Sequence, residues 1–154
     1  MPKTKLNIFL SYAHEDEVMK IKLDRNLVML KQNGQINVWE DKAIMAGDVW
    51  DEKISTALTT ADIILLLISV DFNNSKYIWE KELKVALERH ERNEARVIPV
   101  ILRTCEWSDM PYAMLQALPT GARPISSFAD ADEAYTDVAR GIRMVVDHMI
   151  SQDQ

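Results

Sequence analysis

Residues 75–83 read SKYIWEKEL, and this stretch carries two glutamates, Glu80 and Glu82, as candidate chemical groups. On an α-helix a side chain meets those three and four positions away. Glu80 then has Lys84 one turn on, in the favourable acid-before-base order, and Lys84 has Glu88. That is a solvated charge ladder, and it needs no further role. Glu82 has Ile78, Trp79, Val85 and Ala86 at the same offsets, with no cation among them. An acid without a local partner, beside a tryptophan, is a candidate functional carboxylate. Helical phase does not separate the two. If Leu83, Ala86, Leu87 and His90 form the buried arc, both glutamates fall on its margins.

Other chemistries find less support. His14, His90 and His148 share no metal-ligand spacing with one another or with Cys105, so no metal site is expected. His90 lies on the apolar face of its helix and reads as structural. His14 follows the first strand, where ligand contact is an open alternative. Cys105 has no partnered histidine and reads as inert rather than nucleophilic. The four glycines, Gly34, Gly47, Gly121 and Gly141, form neither a dinucleotide-binding G-x-G-x-x-G nor a P-loop. A phosphoacceptor receiver domain needs an aspartate closing its third strand, and here that position is Ser69.

The elements that must position these groups alternate strand and helix. Leu6, Ile8 and Leu10 alternate in a first strand. Residues 15–33 carry apolar residues at helical spacing and stop at Gly34. INVWE is a short second strand and DKAIMAG a loop. Asp48 is the expected N-cap of a helix with Trp50, Ile54, Ala57, Leu58 and Ala61 on one face. DIILLLIS is apolar throughout, as a central strand covered on both faces must be. A helix is expected over 75–91. RVIPVIL is a strand whose Pro99 lacks a ladder donor, so it should lie at an edge or carry a bulge. RPISS is read as a short fifth strand, and 131–150 as an amphipathic closing helix. This pattern predicts an α/β fold, a doubly wound sheet of five parallel strands flanked by helices. Ligands of such sheets bind outside the carboxyl ends of the strands, near the switch in strand order. That rule selects the loops SYAHED, EDKAIMAGDVW and SVDFNNS, beside the helix carrying Glu82.

The chain has 154 residues, enough for one domain with a core. Its net charge of -6 argues against a nucleic-acid partner, which needs a basic face. The longest apolar run, residues 63–68, has strand length and cannot span a membrane. The start, MPKTKLNIFLSY, lacks a signal-peptide core. One cysteine makes a reducing compartment the default. A cytoplasmic protein is expected, or the cytoplasmic module of a larger one.

The blocks together resemble the Toll/interleukin-1 receptor (TIR) domain. IFLSYAHED is similar to its box 1. VWEDKAIMAGDVWDEKISTAL is similar to its BB loop and the helix after it. ADIILLLISVDFNNSKYIWEKELKVAL is similar to its third strand and the helix carrying the family's catalytic glutamate, and RVIPVIL to its fourth strand. The blocks cover nearly the whole chain in the right order, and the nearest flavour is the NAD⁺-cleaving TIR domain of bacterial antiphage defence.

The resemblance implies a flavodoxin-like fold over residues 1–154, either a whole protein or a domain excised from a longer, sensor-fused one. It implies cleavage of NAD⁺ at the nicotinamide–ribose bond, with NAD⁺ as substrate and no cofactor, or alternatively a non-catalytic module working through homotypic BB-loop contacts. A regulatory domain that holds NAD⁺ without cleaving it is a third reading. The catalytic glutamate falls on Glu82, in the frame E-L-x-x-A-L. Family members often place an aromatic residue four positions earlier; here that position is Ile78, and Trp79 is three before. Trp79 and Tyr12 would then face the nicotinamide end. Ser11 and Ser69 would donate to ribose or phosphate, with His14 and Phe72 in the flanking loops. Asp41, Lys42, Gly47 and Trp50 belong to the BB loop, which closes over the ligand or contacts a neighbouring subunit. Gly47 is expected to adopt a positive φ. Catalytic members act when self-assembled.

Overall fold

The computed structural model describes residues 4–39, 46–47 and 49–152, with only the backbone of Trp50. The expected sites Asp41 and Lys42, the BB-loop residue Ile44 and the expected cap Asp48 lie outside the described residues. Four strands form one parallel sheet in the order β2-β1-β3-β4. They are β1 (Leu6–Ser11), β2 (Ile36–Val38), β3 (Ile63–Ile68) and β4 (Arg96–Ile101).

Alternation along the strands divides the core in two. Leu6, Ile8 and Leu10 of β1 and Ile63, Leu65 and Leu67 of β3 face one side. There they meet α1 (Glu17–Asn26), α2 (Val28–Gln32) and α6 (Ala131–Gln152), through Leu23, Leu27, Leu30, Val138 and Ile142. Phe9, Ile64, Leu66 and Ile68 face the other side. They pack on α3 (Trp50–Thr60), α4 (Val70–Asn74) and α5 (Lys84–Glu91). All six residues of β3 have no solvent exposure, as its apolar run requires. Each such side chain contributes about 2 kcal/mol relative to an exposed one.

The expected helix over 15–33 is broken. A 3₁₀ turn at His14–Asp16 leads into α1, and Leu27 (φ -91°, ψ 12°) separates α1 from α2. Leu27 is buried, so its side chain stays with the core while the backbone changes course. The stop at Gly34 is where the sequence places it. Gly34 takes φ +71°, its N–H reaches Lys31 O, and Gln35 N–H reaches Leu30 O. This closes the helix with its last carbonyls satisfied. The helix α3 begins at Trp50 with Val49 at its cap position, and Val49 offers no side-chain acceptor.

Strand β4 lies at the sheet edge, as Pro99 demands. The expected fifth strand does not form, and Ile125–Ser127 is a 3₁₀ turn. The physical reason lies in what the outer edge of β4 offers. The Val97 N–H is taken by His90 Nδ1 at 3.1 Å, and Pro99 has no N–H. What is left bonds one residue, Leu118, which donates to Pro99 O and accepts from Ile101 N–H. That gives an isolated bridge between Val100 and Leu118 instead of a ladder. His90 is thereby structural: it blunts an edge that would otherwise present an unpaired donor. No helix among the described residues is long and apolar enough to cross a membrane.

Candidate functional site

Parallel pairing brings the carboxyl ends of β1 and β3 side by side, with Ser11 opposite Leu66. The Ser11 side chain is fully buried there and cannot reach solvent. Its Oγ donates to Glu82 Oε1 at 2.7 Å. Glu82 is 7% exposed, and among the described residues only Asp16 is a more deeply buried acid. The carboxylate thus stands oriented at the floor of a cavity of about 490 Å³. Tyr12, Trp39 and Tyr77 give this cavity aromatic walls, and His14, Glu15 and Asp71 charged or titratable ones. Trp39 is held flat against Phe9, with ring centroids 5.6 Å apart and planes 17° apart, so it forms a rigid surface.

Glu82 does not lie on an ordinary α-helix. Ile78–Leu83 forms a π-helical turn that leads into α5. Such a turn reaches back five residues instead of four, roughly 4.4 residues per turn against 3.6. Residues three apart are then about 115° apart around the axis instead of about 60°, while residues four apart stay within about 30–40°. The consequences are visible. Ile78, four before Glu82, is buried and lines the same cavity. Trp79, three before, swings to another face and lines a shallow groove with Leu83, Leu87 and Pro111. Its Nε1 donates to Asn73 O at 2.7 Å. The charge ladder changes as well: Glu80 lies 3.9 Å from Lys76, one turn back.

The structure therefore brings Tyr12, His14 and Glu82 together at the cavity, sets Ser11 behind Glu82 as its donor instead of against ribose or phosphate, and leaves out three other expected contacts. Ser69 is fully buried, donates to Asp16 and accepts the Phe72 N–H at 3.1 Å as the N-cap of α4. Phe72 is in the core, edge-on to Tyr112. Trp79 faces away. Trp79→Ala is accordingly expected to leave the cavity intact, and for a dinucleotide ligand such as the resemblance implies, calorimetry should show an affinity changed less than about twofold, far below the loss a stacking partner shows. Gly47 has the expected positive φ, +94°.

Three features were not read from sequence. Trp39 reads in the sequence as part of the second strand, although an aromatic at the carboxyl end of a strand beside β1 is placed to wall the crevice. Tyr77, and not Trp79, lines the cavity. The third is an ion cluster behind the box 1 loop. Asp16, 2% exposed, accepts from Ser69 Oγ and from Arg103 Nε at 2.9 Å. Arg103 also pairs with Asp71, which lines the cavity. The hydrogen bond to Asp71, with a smaller contribution from Asp16, outweighs desolvation and raises the guanidinium above its ordinary value. These partners come from three separate strand ends, and no spacing rule joins them. Cys105 is off the cavity, and burial pushes its thiol up, which keeps it protonated and unreactive.

The TIR domain family matches residues 8–139, and the chain belongs to that family. It is 43% identical over 137 residues to an uncharacterized protein, y4lF, of Sinorhizobium fredii (strain NBRC 101917 / NGR234). The match covers 89% of this chain and 42% of that protein, so the chain spans less than half of its relative's length. Among solved structures it is similar to the RPS4 and RRS1 TIR domain heterodimer, with a TM-score of 0.54 and 12% identity over 91% of this chain and 96% of that one. It is also similar to the TIR domains of the activated Roq1 resistosome, which directly recognizes the pathogen effector XopQ. There the TM-score is 0.54 and the identity 20%, over 96% of each chain. At these identities the likeness is one of fold.

Proposed function

We propose that this TIR domain is an NAD⁺ glycohydrolase that cleaves the nicotinamide–ribose bond when self-assembled, in bacterial immune or cell-suicide signalling. The observation that carries the reading is Glu82: a buried carboxylate, oriented by Ser11, at the floor of an aromatic-walled cavity. The family resemblance selects the same residue independently. Nicotinamide leaves as a neutral molecule, so its departure needs no general acid, and the two-carboxylate scheme of ordinary glycosidases reduces to one. The C–N bond breaks with its electron pair going to the pyridine nitrogen. An oxocarbenium-like ribosyl centre develops, and the Glu82 charge stabilises it. Water then adds at that carbon and releases a proton, giving ADP-ribose; attack by a ring nitrogen of the adenine gives a cyclic product instead, and attack by another base an exchanged dinucleotide. Self-association, a sensor domain on the same or another chain and a cytoplasmic setting belong to this reading.

The test is to cluster the protein on a scaffold, add NAD⁺ and follow nicotinamide. Release that rises with clustering supports the reading, and no release from clustered protein overturns it. The assemblies in which the two structural relatives were solved support self-association, which a second reading, a scaffold without turnover, shares. It predicts assembly that is sensitive to changes at Ile44 or Trp50 and indifferent to Glu82.

A further inference from the structure

The cavity is acidic. Glu15, Asp71 and Glu82 line it, and His14 is the only basic side chain among its described lining residues. That suits the pyridinium end of NAD⁺ and opposes the diphosphate in the middle of the same molecule. If the glycohydrolase reading holds, on which this inference rests, a cation must meet that diphosphate. Arg103 is not available, because Asp16 and Asp71 both hold it. On α1, Lys22 and Arg25 are exposed, and Lys31 of α2 is paired with Asp24. Lys20 is different. It is half-buried, one turn into α1, directly after the box 1 loop. Its Nζ lies 5.4 Å from the ring centroid of Tyr12, and Tyr12 lines the cavity. Among the described residues no carboxylate pairs with it. An ammonium held by a ring face and by no carboxylate has unmet capacity for an anion. Its stem has four rotatable carbons, so the head can leave the ring without moving the helix.

We propose that Lys20 is a substrate-binding residue of this pocket, meeting the diphosphate of the dinucleotide at the cavity mouth beside Tyr12. In the resting state the Tyr12 ring parks the ammonium. With ligand bound, the ammonium moves onto a diphosphate oxygen, and the ring is freed to face the ligand.

Binding is measured by calorimetry with two probes, ADP-ribose and adenosine, on wild type, Lys20→Ala, Lys20→Arg and Lys22→Ala. Lys20→Ala is expected to weaken ADP-ribose about tenfold or more and to leave adenosine within about twofold, a loss that is large for one exposed charge and small for a collapsed pocket. Lys20→Arg should recover most of the affinity, and Lys22→Ala should match wild type. In turnover, Lys20→Ala should raise the KM for NAD⁺ with kcat nearly unchanged, and leave cleavage of nicotinamide riboside, which has no phosphate, as it was. Equal weakening of both probes would mean that Lys20 only props Tyr12, and overturns the proposal. So does an unchanged ADP-ribose affinity in Lys20→Ala, or a wild type that binds ADP-ribose no better than adenosine. Loss of the glycohydrolase reading shows separately, as wild type that releases no nicotinamide, and the two-probe calorimetry still decides Lys20.

Discussion

Glu82→Gln is expected to lower nicotinamide release by the clustered protein by at least about 10²-fold, the usual loss when a preorganised charge-stabilising group is removed. Glutamine has the same shape and still offers an oxygen to Ser11 Oγ, so the fold and the cavity should survive. What disappears is the negative charge, and the charge matters only as the ribosyl carbon becomes cationic. The loss should therefore fall on kcat, with KM for NAD⁺ changed far less. Glu80→Gln is the internal control. Its side chain is 56% exposed and 3.9 Å from Lys76, a surface pair of little energetic value. Its activity should stay within about twofold of wild type. Undiminished release from Glu82→Gln removes Glu82 from the mechanism. Equal losses in both variants would point to helix stability instead of chemistry.

The separation of these two glutamates was legible in the sequence, but for a reason that is only partly right. Glu82 lacked a cation at α-helical offsets, and in the structure it is buried with Ser11 as donor. The offsets assumed 3.6 residues per turn, and the chain runs through a π-helical turn at this point. Nothing in IWEKEL announces that turn, which sets Ile78 in the cavity wall and Leu83 in the core. The same assumption put Trp79 beside Glu82 and paired Glu80 with Lys84. Ser69 failed for a different reason. The topological rule places it at a strand end facing the crevice, and Asp16 takes its hydroxyl from below. Where one element decides the outcome, as in the six-residue apolar β3 or the stop at Gly34, the sequence was sufficient. The missing fifth strand depended on His90 and Pro99 acting together on one edge, and a pattern read strand by strand does not contain that.

Arg103→Ala is expected to destabilise the domain by about 3–5 kcal/mol, the range for breaking a buried ion pair by removing one partner. In a domain of this size the melting temperature should fall by roughly 10 °C. The magnitude comes from what is left behind. The Asp16 side chain is 1% exposed, and without Arg103 its charge faces only the Ser69 hydroxyl. Asp16→Ala should cost less, about 2 kcal/mol, because the orphaned Arg103 is 35% exposed, keeps Asp71 and leans on water. The double variant should then be clearly more stable than the sum of the two single losses predicts, since the group stranded by one change is deleted by the other. Urea denaturation of the four proteins reads this cycle directly. Strict additivity would show that the pair is not coupled. The same variants bear on the pocket, because Asp16 anchors the loop that carries Tyr12 and His14, and Asp71 lines the cavity. Arg103→Ala should raise the KM for NAD⁺ even below its melting transition, whereas a destabilised variant with an unaltered KM would confine the cluster to holding the fold.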